Sequence, residues 1–555
     1  MTTELRGLPA APGVATGAPW IYRPPATDAE PRRSLADAAE EAATELEGLA
    51  ARLRDEGRPA EAEILDAQAL MATDEELLGA ARGLLTAGTK PIAAMLAAGE
   101  QAAATLEALD DPVLSARAAD VRDVAARIVR HLVGAAAPQL VRRSIVVAQD
   151  LAPSVTVELD RALLAGIALE GGSRTSHAAI LARALGIPAV VCLPGIVDRA
   201  AGIDELGIDG DAGLAVLDPD EAARASLTHA AAATVERRAA DEAFAGRPLA
   251  TSDGHRVACL ANVGDPDEAA SAFVAGAEGI GLFRTEFAFA GRASAPSESE
   301  QAEAYAAVLR AAGDAPVVIR LADIGGDKPV PYLSMPSEAN PFLGVRGIRL
   351  ADAHPDLFRT QVRAILRASL QAGRPVAIMA PMVADGADVR RVRALVDQAR
   401  TDVPDAPEPR VGIMIEVPSA VLQADQLAGT VDFMSVGTND LTQYLLAADR
   451  TNAQLAGRQD PLHPAVLRAI ARVVEAARAT PDGCEVAVCG EMAGDPAGAL
   501  LLVGLGVEEL SMDPGAFNAV KRAVAARSRV EQAALGAEAQ QLGSAAEVRA
   551  LVAVS

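Results

Sequence analysis

Hydrophobic and polar positions follow two different rhythms along the chain. Residues 1–22 mix short apolar runs with glycine and proline and end in PWIY, a strand-and-turn pattern. From about Thr27 to Val133 the spacing becomes that of amphipathic helices, as in LADAAEEAATELEGLAARL and EAEILDAQALMATDEELLGAARGLL. It predicts four or more helices packed as hairpins. The short-run pattern resumes at SIVVAQDLAPS and alternates with helical segments through LLAGIALEGG, AAILARALG, IPAVVCLPG and GLAVLDPD. Residues 23–139 therefore read as a helical subdomain inserted into an α/β domain made of residues 1–22 and 140–218. Residues 219–248, rich in Ala, Glu and Arg with few breakers, predict a connecting helix.

Beyond residue 249, eight short apolar runs recur: HRVACLANV, GIGLF, PVVIRL, PVAIMAPM, RVGIMIEV, DFMSVG, CEVAVCG and ELSMD. Helical periodicity separates them, which predicts a (β/α)8 TIM-type barrel over residues 249–535 and a C-terminal tail over 536–555. The expected fold is thus α/β and multidomain. The wide gap between the third and fourth runs places a large loop, carrying DIGGDKPVPYL and NPFLGVRGIRL, over the barrel opening.

Such barrels carry their chemistry at the C-terminal ends of the strands. Arg284 follows the second run, Arg320 closes the third and Glu416 ends the fifth. Asn439 and Asp440 follow the sixth, and Cys489 ends the seventh. Glu416 and Asp440 offer hard oxygen ligands that suit Mg²⁺ or Mn²⁺ better than zinc. Arg284, Arg320, Arg346 and Arg450 offer planar forks that match phosphate and carboxylate. Each arginine alone could be a surface ion-pair partner; their shared place at strand ends points to a small, multiply anionic substrate. For Cys489, core packing and chemistry both stay open.

A second site lies in GGSRTSHAAILARALGIPAVV. Small residues and hydroxyls precede His177, and an apolar-periodic helix begins directly after it. Free N–H groups at that helix start, with Thr175 and Ser176, would hold an anion beside the imidazole, and Arg174 would add charge. Neutral imidazole is a nucleophile near pH 7, so the setting suits a phosphorylated histidine. A capping segment with an incidental histidine is the alternative. His463, in DPLHP, reads as structural, and His131, His229, His255 and His354 have no comparable setting. DIGGDK lacks the glycine–lysine spacing of a phosphate-binding P-loop.

Composition narrows the field. The 555 residues carry 50 Lys and Arg against 75 Asp and Glu, a net charge of −25. That balance argues against a nucleic-acid partner but not against a small phosphorylated substrate. No run approaches ~18 apolar residues, so no membrane span is expected, and the N-terminus lacks a signal-peptide pattern. Cys192, Cys259, Cys484 and Cys489 are scattered without a CxxC pair, which suits reduced thiols in the cytoplasm.

Over essentially its full length the chain resembles the Enzyme I family of the bacterial sugar phosphotransferase system, the phosphoenolpyruvate-protein phosphotransferases. The most specific stretch is DFMSVGTNDLTQYLLAADR, residues 432–450, supported by GIGLFRTEF, DIGGDKPVPY, NPFLGVRGIR, GIMIEVPSA, DPLHPAV and CGEMAGD. The resemblance implies phosphorylation of His177 by phosphoenolpyruvate, onward transfer to a histidine of the phosphocarrier protein HPr, and release of pyruvate. It implies Arg284, Arg320 and Arg450, with Asn439 and Asp440, as substrate contacts, Glu416 and Asp440 as magnesium ligands, and Cys489 as proton donor to the enolate. It further implies that the helical insert docks HPr and that the protein is a homodimer through its barrel. The sequence departs from the family's pattern once: where two small residues usually stand at Gly172 and the next position before Thr-Ser-His, Ser173 holds the second. Two rivals share these motifs. Pyruvate, phosphate dikinases and phosphoenolpyruvate synthases need a large ATP-binding domain, for which residues 1–140 offer no room. A nitrogen-signalling phosphorelay homologue usually carries an added sensor domain that is not seen here.

Overall fold

The computed structural model describes the chain except residues 1–2, 24–29, 56–58, 109–111, 138, 152–154, 156–157, 173–176, 290–291, 293, 327, 329, 331, 334, 336–337, 451, 482 and 555. Two compact units emerge, Met1–Arg237 and Arg238–Ser555.

In the first unit, strands β1 (Thr3–Arg6), β2 (Leu8–Ala11), β3 (Val14–Ile21), β4 (Ser144–Ala148), β5 (Leu164–Leu169), β6 (Ala189–Val191), β7 (Leu206–Asp209) and β8 (Leu214–Leu217) form one sheet. Its order is β1-β8-β7-β3-β4-β5-β6-β2. The centre, β3-β4-β5-β6, is parallel and the flanking pairs are antiparallel. β4 and β5 are buried along their whole length, which explains their unbroken apolar sequence.

Between β3 and β4 run five helices: α1 (Leu35–Asp55), α2 (Pro59–Ala72), α3 (Glu75–Thr86), α4 (Pro91–Ala108) and α5 (Pro112–Leu132). Aliphatic side chains and methionine fill their common core, including Leu46, Leu53, Leu65, Ile92, Met95 and Ile128. Asp74 caps α3, its carboxylate accepting the N–H groups of Glu76 (2.8 Å) and Leu77 (3.0 Å). The segment read as a connecting helix forms the helix Glu221–Glu242.

An ion network joins α1 and α5 to the α/β part of this unit. Glu45 Oε2 accepts from Arg130 Nη2 (2.5 Å), lies 3.1 Å from Arg127 Nη1 and 2.7 Å from His131 Nε2. Arg127 and Arg130 also pair with Glu158, and His131 Nδ1 lies 3.1 Å from Glu41 Oε2. His131, which has no evident setting in the sequence, is thus placed between two carboxylates. Burial opposes ionisation of Glu45, yet the His131 hydrogen bond and the two arginines bring it down to about 2. A depressed folded value stabilises the fold above the ordinary carboxylate range, and the gain is lost as pH falls toward 2. Glu45→Gln should therefore cost about 1–3 kcal/mol at pH 7. The melting-temperature gap to wild type should hold down to about pH 4.5 and shrink below it; a gap unchanged at pH 3 would count against the network.

In the second unit, β9 (Ala258–Val263), β10 (Ile280–Phe283), β11 (Val317–Arg320), β12 (Ala377–Ala380), β13 (Arg410–Ile415), β14 (Phe433–Val436), β15 (Glu485–Val488) and β16 (Glu509–Met512) close into a barrel. Every neighbouring pair is parallel. The eight apolar runs are these eight strands. Leu282, Ala377, Met379, Met414, Phe433 and Cys489 form a small cluster separate from the main core. The larger core between strands and helices includes Tyr305, Phe358, Ile378, Ile413 and Phe517.

Residues 536–555, expected as a tail, are largely helical. They hold the end of the helix Arg529–Ala539 and the helix Ala545–Val554, and Ala539 and Val548 are buried in the barrel's core. The segment is short and alanine-rich, which hid its packing role. Among the described residues no helix is long and apolar enough to cross a membrane.

Candidate active site

Because all eight strands run the same way, their C-terminal ends gather at one opening. Arg320 is the last residue of β11, and Arg284, Glu416 and Cys489 directly follow β10, β13 and β15. Asn439 and Asp440 lie in the first turn of the helix Thr438–Leu446, just beyond β14.

A cluster of charges surrounds Asp323, in the loop after β11. Its carboxylate accepts from Arg346 Nε (3.0 Å) and Nη2 (2.6 Å), from Lys328 Nζ (3.1 Å), and lies 3.7 Å from Arg320 Nη2. Burial opposes its ionisation, but Lys328, Arg320 and Arg346 overcome that and hold it far below the usual carboxylate range. Glu286 completes the frame, accepting from Arg320 Nη2 (2.8 Å) and from the Asp323 N–H (2.8 Å). Arg346, read from sequence as a substrate fork, has no exposed surface and is committed to Asp323 on one edge. Its Nη1 lies 3.5 Å from Asp440 Oδ1. Gly325, at φ 95°, keeps this loop tight against Val345, where a β-carbon would collide with a carbonyl.

Glu416 is 1% exposed. Its Oε1 accepts the N–H of Met382 (2.7 Å), whose backbone is in the left-handed region at φ 58°. Burial and the nearby Asp440 carboxylate push Glu416 up to about 7. Asp440 Oδ1 is buried without a hydrogen bond, 3.5 Å from both Arg346 Nη1 and Arg450 Nη1. A buried carboxylate raised by its neighbour, beside a second buried carboxylate with an oxygen left without a hydrogen bond, is the donor set a hard divalent cation would relieve. Among the described residues no cluster of three or more acidic, His or Cys ligands exists. The pair therefore suits an ion that takes its remaining ligands from substrate and water, as Mg²⁺ does.

Asn439 is held by Glu491, which receives its side-chain N–H (3.2 Å) and donates its own backbone N–H back (2.9 Å). Arg450 rests over the Phe342 ring at 5.3 Å, so its charge is stabilised from the loop side. The Arg284 guanidinium has no ion-pair partner among the described residues and is half-buried at the opening.

Cys489 is 3% exposed, with Sγ 3.8 Å from the Val436 carbonyl. Burial raises its thiol above the ordinary range, more than the nearby Ser435 hydroxyl and Arg320 lower it. It remains a protonated thiol at neutral pH. Gly490 is needed beside it, since a β-carbon there would collide with the Thr438 hydroxyl.

His177 is the first residue of the helix His177–Leu185. Ser173, Arg174, Thr175 and Ser176 lie outside the described residues. His463 is a helix cap, its Nδ1 accepting the Ala465 N–H (3.1 Å). Sequence reading missed Asp323, Glu286, Asn262 and Ser511. Asp323 alone had a local signal, three residues after Arg320 within DIGGDK.

Family models for PEP-utilising enzymes match the chain in three consecutive parts. The N-terminal model covers residues 6–117, the mobile-domain model 140–213 and the PEP-binding-domain model 238–529. A multiphosphoryl transfer protein of Rhodobacter capsulatus is 45% identical over 91% of this chain, which spans 61% of that protein's length. A phosphoenolpyruvate-protein phosphotransferase of Streptomyces coelicolor is 42% identical over 99% of this chain and 98% of its own. An NMR solution structure of Enzyme I matches 41% of this chain at 29% identity, with a TM-score of 0.35. With a PEP-binding domain over more than half its length and a full-length relative at such identity, the chain belongs to the family of phosphoenolpyruvate-protein phosphotransferases.

Proposed function

We propose that the chain moves the phosphoryl group of phosphoenolpyruvate to its own His177 and then to a histidine of the carrier HPr, releasing pyruvate. The observation that carries this reading is the barrel opening, where buried Glu416 and Asp440 lie among arginines and the buried Cys489 thiol has Arg320, Glu416 and Arg284 as its charged neighbours.

Arg284, Arg320 and Arg450 bind the phosphate and carboxylate of the substrate, Arg320 being fixed in aim by Glu286. Asn439, steadied by Glu491, orients the substrate beside Asp440. Arg346 acts mainly by holding Asp323 and facing Asp440. Glu416 and Asp440 hold the divalent cation, Mg²⁺ with Mn²⁺ as the other suitable ion. When bound, that ion supplies charge stabilisation for the transferring phosphoryl oxygens. His177 attacks phosphorus, and the enolate left behind takes a proton at carbon three from the Cys489 thiol, forming pyruvate. The thiolate then regains its proton from solvent.

One histidine serving two partners requires that the α/β domain, residues 1–22 and 140–218, swivel on the segment 219–248. The helical insert, residues 23–139, is the dock for HPr, and the barrel, from residue 249, is the surface of a homodimer in the cytoplasm. The test is product analysis with phosphoenolpyruvate and Mg²⁺, with and without HPr and ATP. Pyruvate equal to phospho-HPr, independent of ATP, is expected. A requirement for ATP, or pyruvate formation without any protein phosphorylation, would refute the reading.

A further inference from the structure

The geometry points to Asn262 as a positioning residue for the proton-donating thiol: it fixes the backbone of Cys489 and, through it, the face of the enolate that receives the proton. This rests on the proposed role of Cys489.

Asn262 lies near the end of β9, on the far side of β16 from Cys489. Its Nδ2 donates to the carbonyl of Cys489 (3.0 Å) and to the carbonyl of Ser511 (3.2 Å). Its Oδ1 accepts from Ser511 Oγ (2.7 Å). Both amide hydrogens and the amide oxygen are therefore engaged, and the Ser511 hydroxyl determines which way the amide faces. Ser511 is fully buried and fits only because position 281 is glycine, where a β-carbon would lie 2.5 Å from Ser511 Oγ.

The consequence falls on Cys489. Its N–H donates to the Val436 carbonyl (3.1 Å) and its C=O accepts from Asn262, so one backbone group is tied to the neighbouring β14 and the other, past β16, to β9. Gly490 lies against Thr438, which blocks retreat of the following residue. With φ and ψ restrained, the Cα–Cβ bond has a set direction and the thiol keeps only rotation about χ1. Asn262 reaches Cys489 through a peptide carbonyl rather than through the sulfur, so it sets direction without altering the thiol's chemistry. No charge or hydrophobic burial explains an amide that spans three strand ends; orientation does.

Proton delivery to a planar enolate is sensitive to direction, and a displacement of ~1 Å costs on the order of 100-fold. The test uses the full-length protein with phosphoenolpyruvate labelled at carbon three with one hydrogen isotope in a defined position. Turnover runs in water of another isotope, and the chirality of the pyruvate methyl group is read. Single-turnover phosphorylation of His177 is followed in parallel. Asn262→Ala should give largely racemic methyl groups and slow formation of keto-pyruvate by ~10- to 100-fold more than it slows phosphorylation. Ser511→Ala, a smaller change that leaves Asn262 in place but unoriented, should racemise partially and keeps the test open should Asn262→Ala fail to fold. Cys489→Ala is the reference. Racemic product from Cys489→Ala with full stereospecificity in both other variants would overturn the positioning role alone. Equal losses in phosphorylation and protonation would also overturn it. Unchanged turnover and stereochemistry in Cys489→Ala would remove the thiol's role itself.

Discussion

Glu416→Ala should lower phosphorylation of His177 by phosphoenolpyruvate by about 10³-fold, and excess Mg²⁺ should restore little of it. Glu416 and Asp440, both buried, are the two carboxylates proposed to hold the cation, and Asp440 alone leaves it half held. A factor of 10³ corresponds to ~4 kcal/mol in the barrier, within the several kcal/mol that a bound cation supplies to a transferring phosphoryl group. The loss should be confined to the barrel's reaction. Back-transfer from phospho-HPr to His177 uses none of the strand-end groups and should proceed at the wild-type rate in the same variant. Rapid-quench measurement of both reactions separates the outcomes: equal losses would indicate general damage, and near-normal phosphorylation from phosphoenolpyruvate at limiting Mg²⁺ would remove Glu416 from the ligand set.

Asp323→Ala should be the most damaging single change to the barrel. Arg346 has no exposed surface, and its bidentate partner is Asp323. Deleting that carboxylate leaves a buried guanidinium facing Arg320 and Lys328 with much of its compensation gone, a defect that typically costs about 3–5 kcal/mol. Urea unfolding should show a lower midpoint with little change in slope. Removing both charges tells more. Asp323→Leu combined with Arg346→Met should recover much of the stability, because the uncompensated charge disappears. It should not recover activity, because Arg320 loses part of its frame. Stability unchanged in Asp323→Ala would contradict the charge arrangement around the opening.

The barrel was legible because parallel strands covered on both faces must be short, mainly apolar runs, and each of the eight lies in one. Polar residues that end such runs, as Arg320, Glu416 and Cys489 do, are conspicuous for the same reason. What stayed hidden depends on distance in the chain. Asn262 and Cys489 are 227 residues apart and Arg346 meets Asp440 across the opening, so no local pattern could pair them. Arg346 illustrates the limit well: residue type and place suggest a substrate fork, while only the fold reveals that Asp323 occupies one edge of it. Asn262 and Ser511 carry no charge and sit within strands, where sequence alone reads them as ordinary polar interruptions. The helix Ala545–Val554 escaped because its alanine-rich sequence resembles a solvated end, although Val548 is buried.

In the proposed reaction the phosphoryl group passes from the barrel opening to His177. The most direct measurement is mass spectrometry of the full-length protein after incubation with phosphoenolpyruvate and Mg²⁺, kept at neutral or alkaline pH to preserve phosphohistidine. A single phosphoryl group is expected on the peptide containing His177, formed together with one pyruvate and about 10³-fold more slowly in Glu416→Ala. Phosphate found on another residue, or pyruvate released with His177 unmodified, would contradict it.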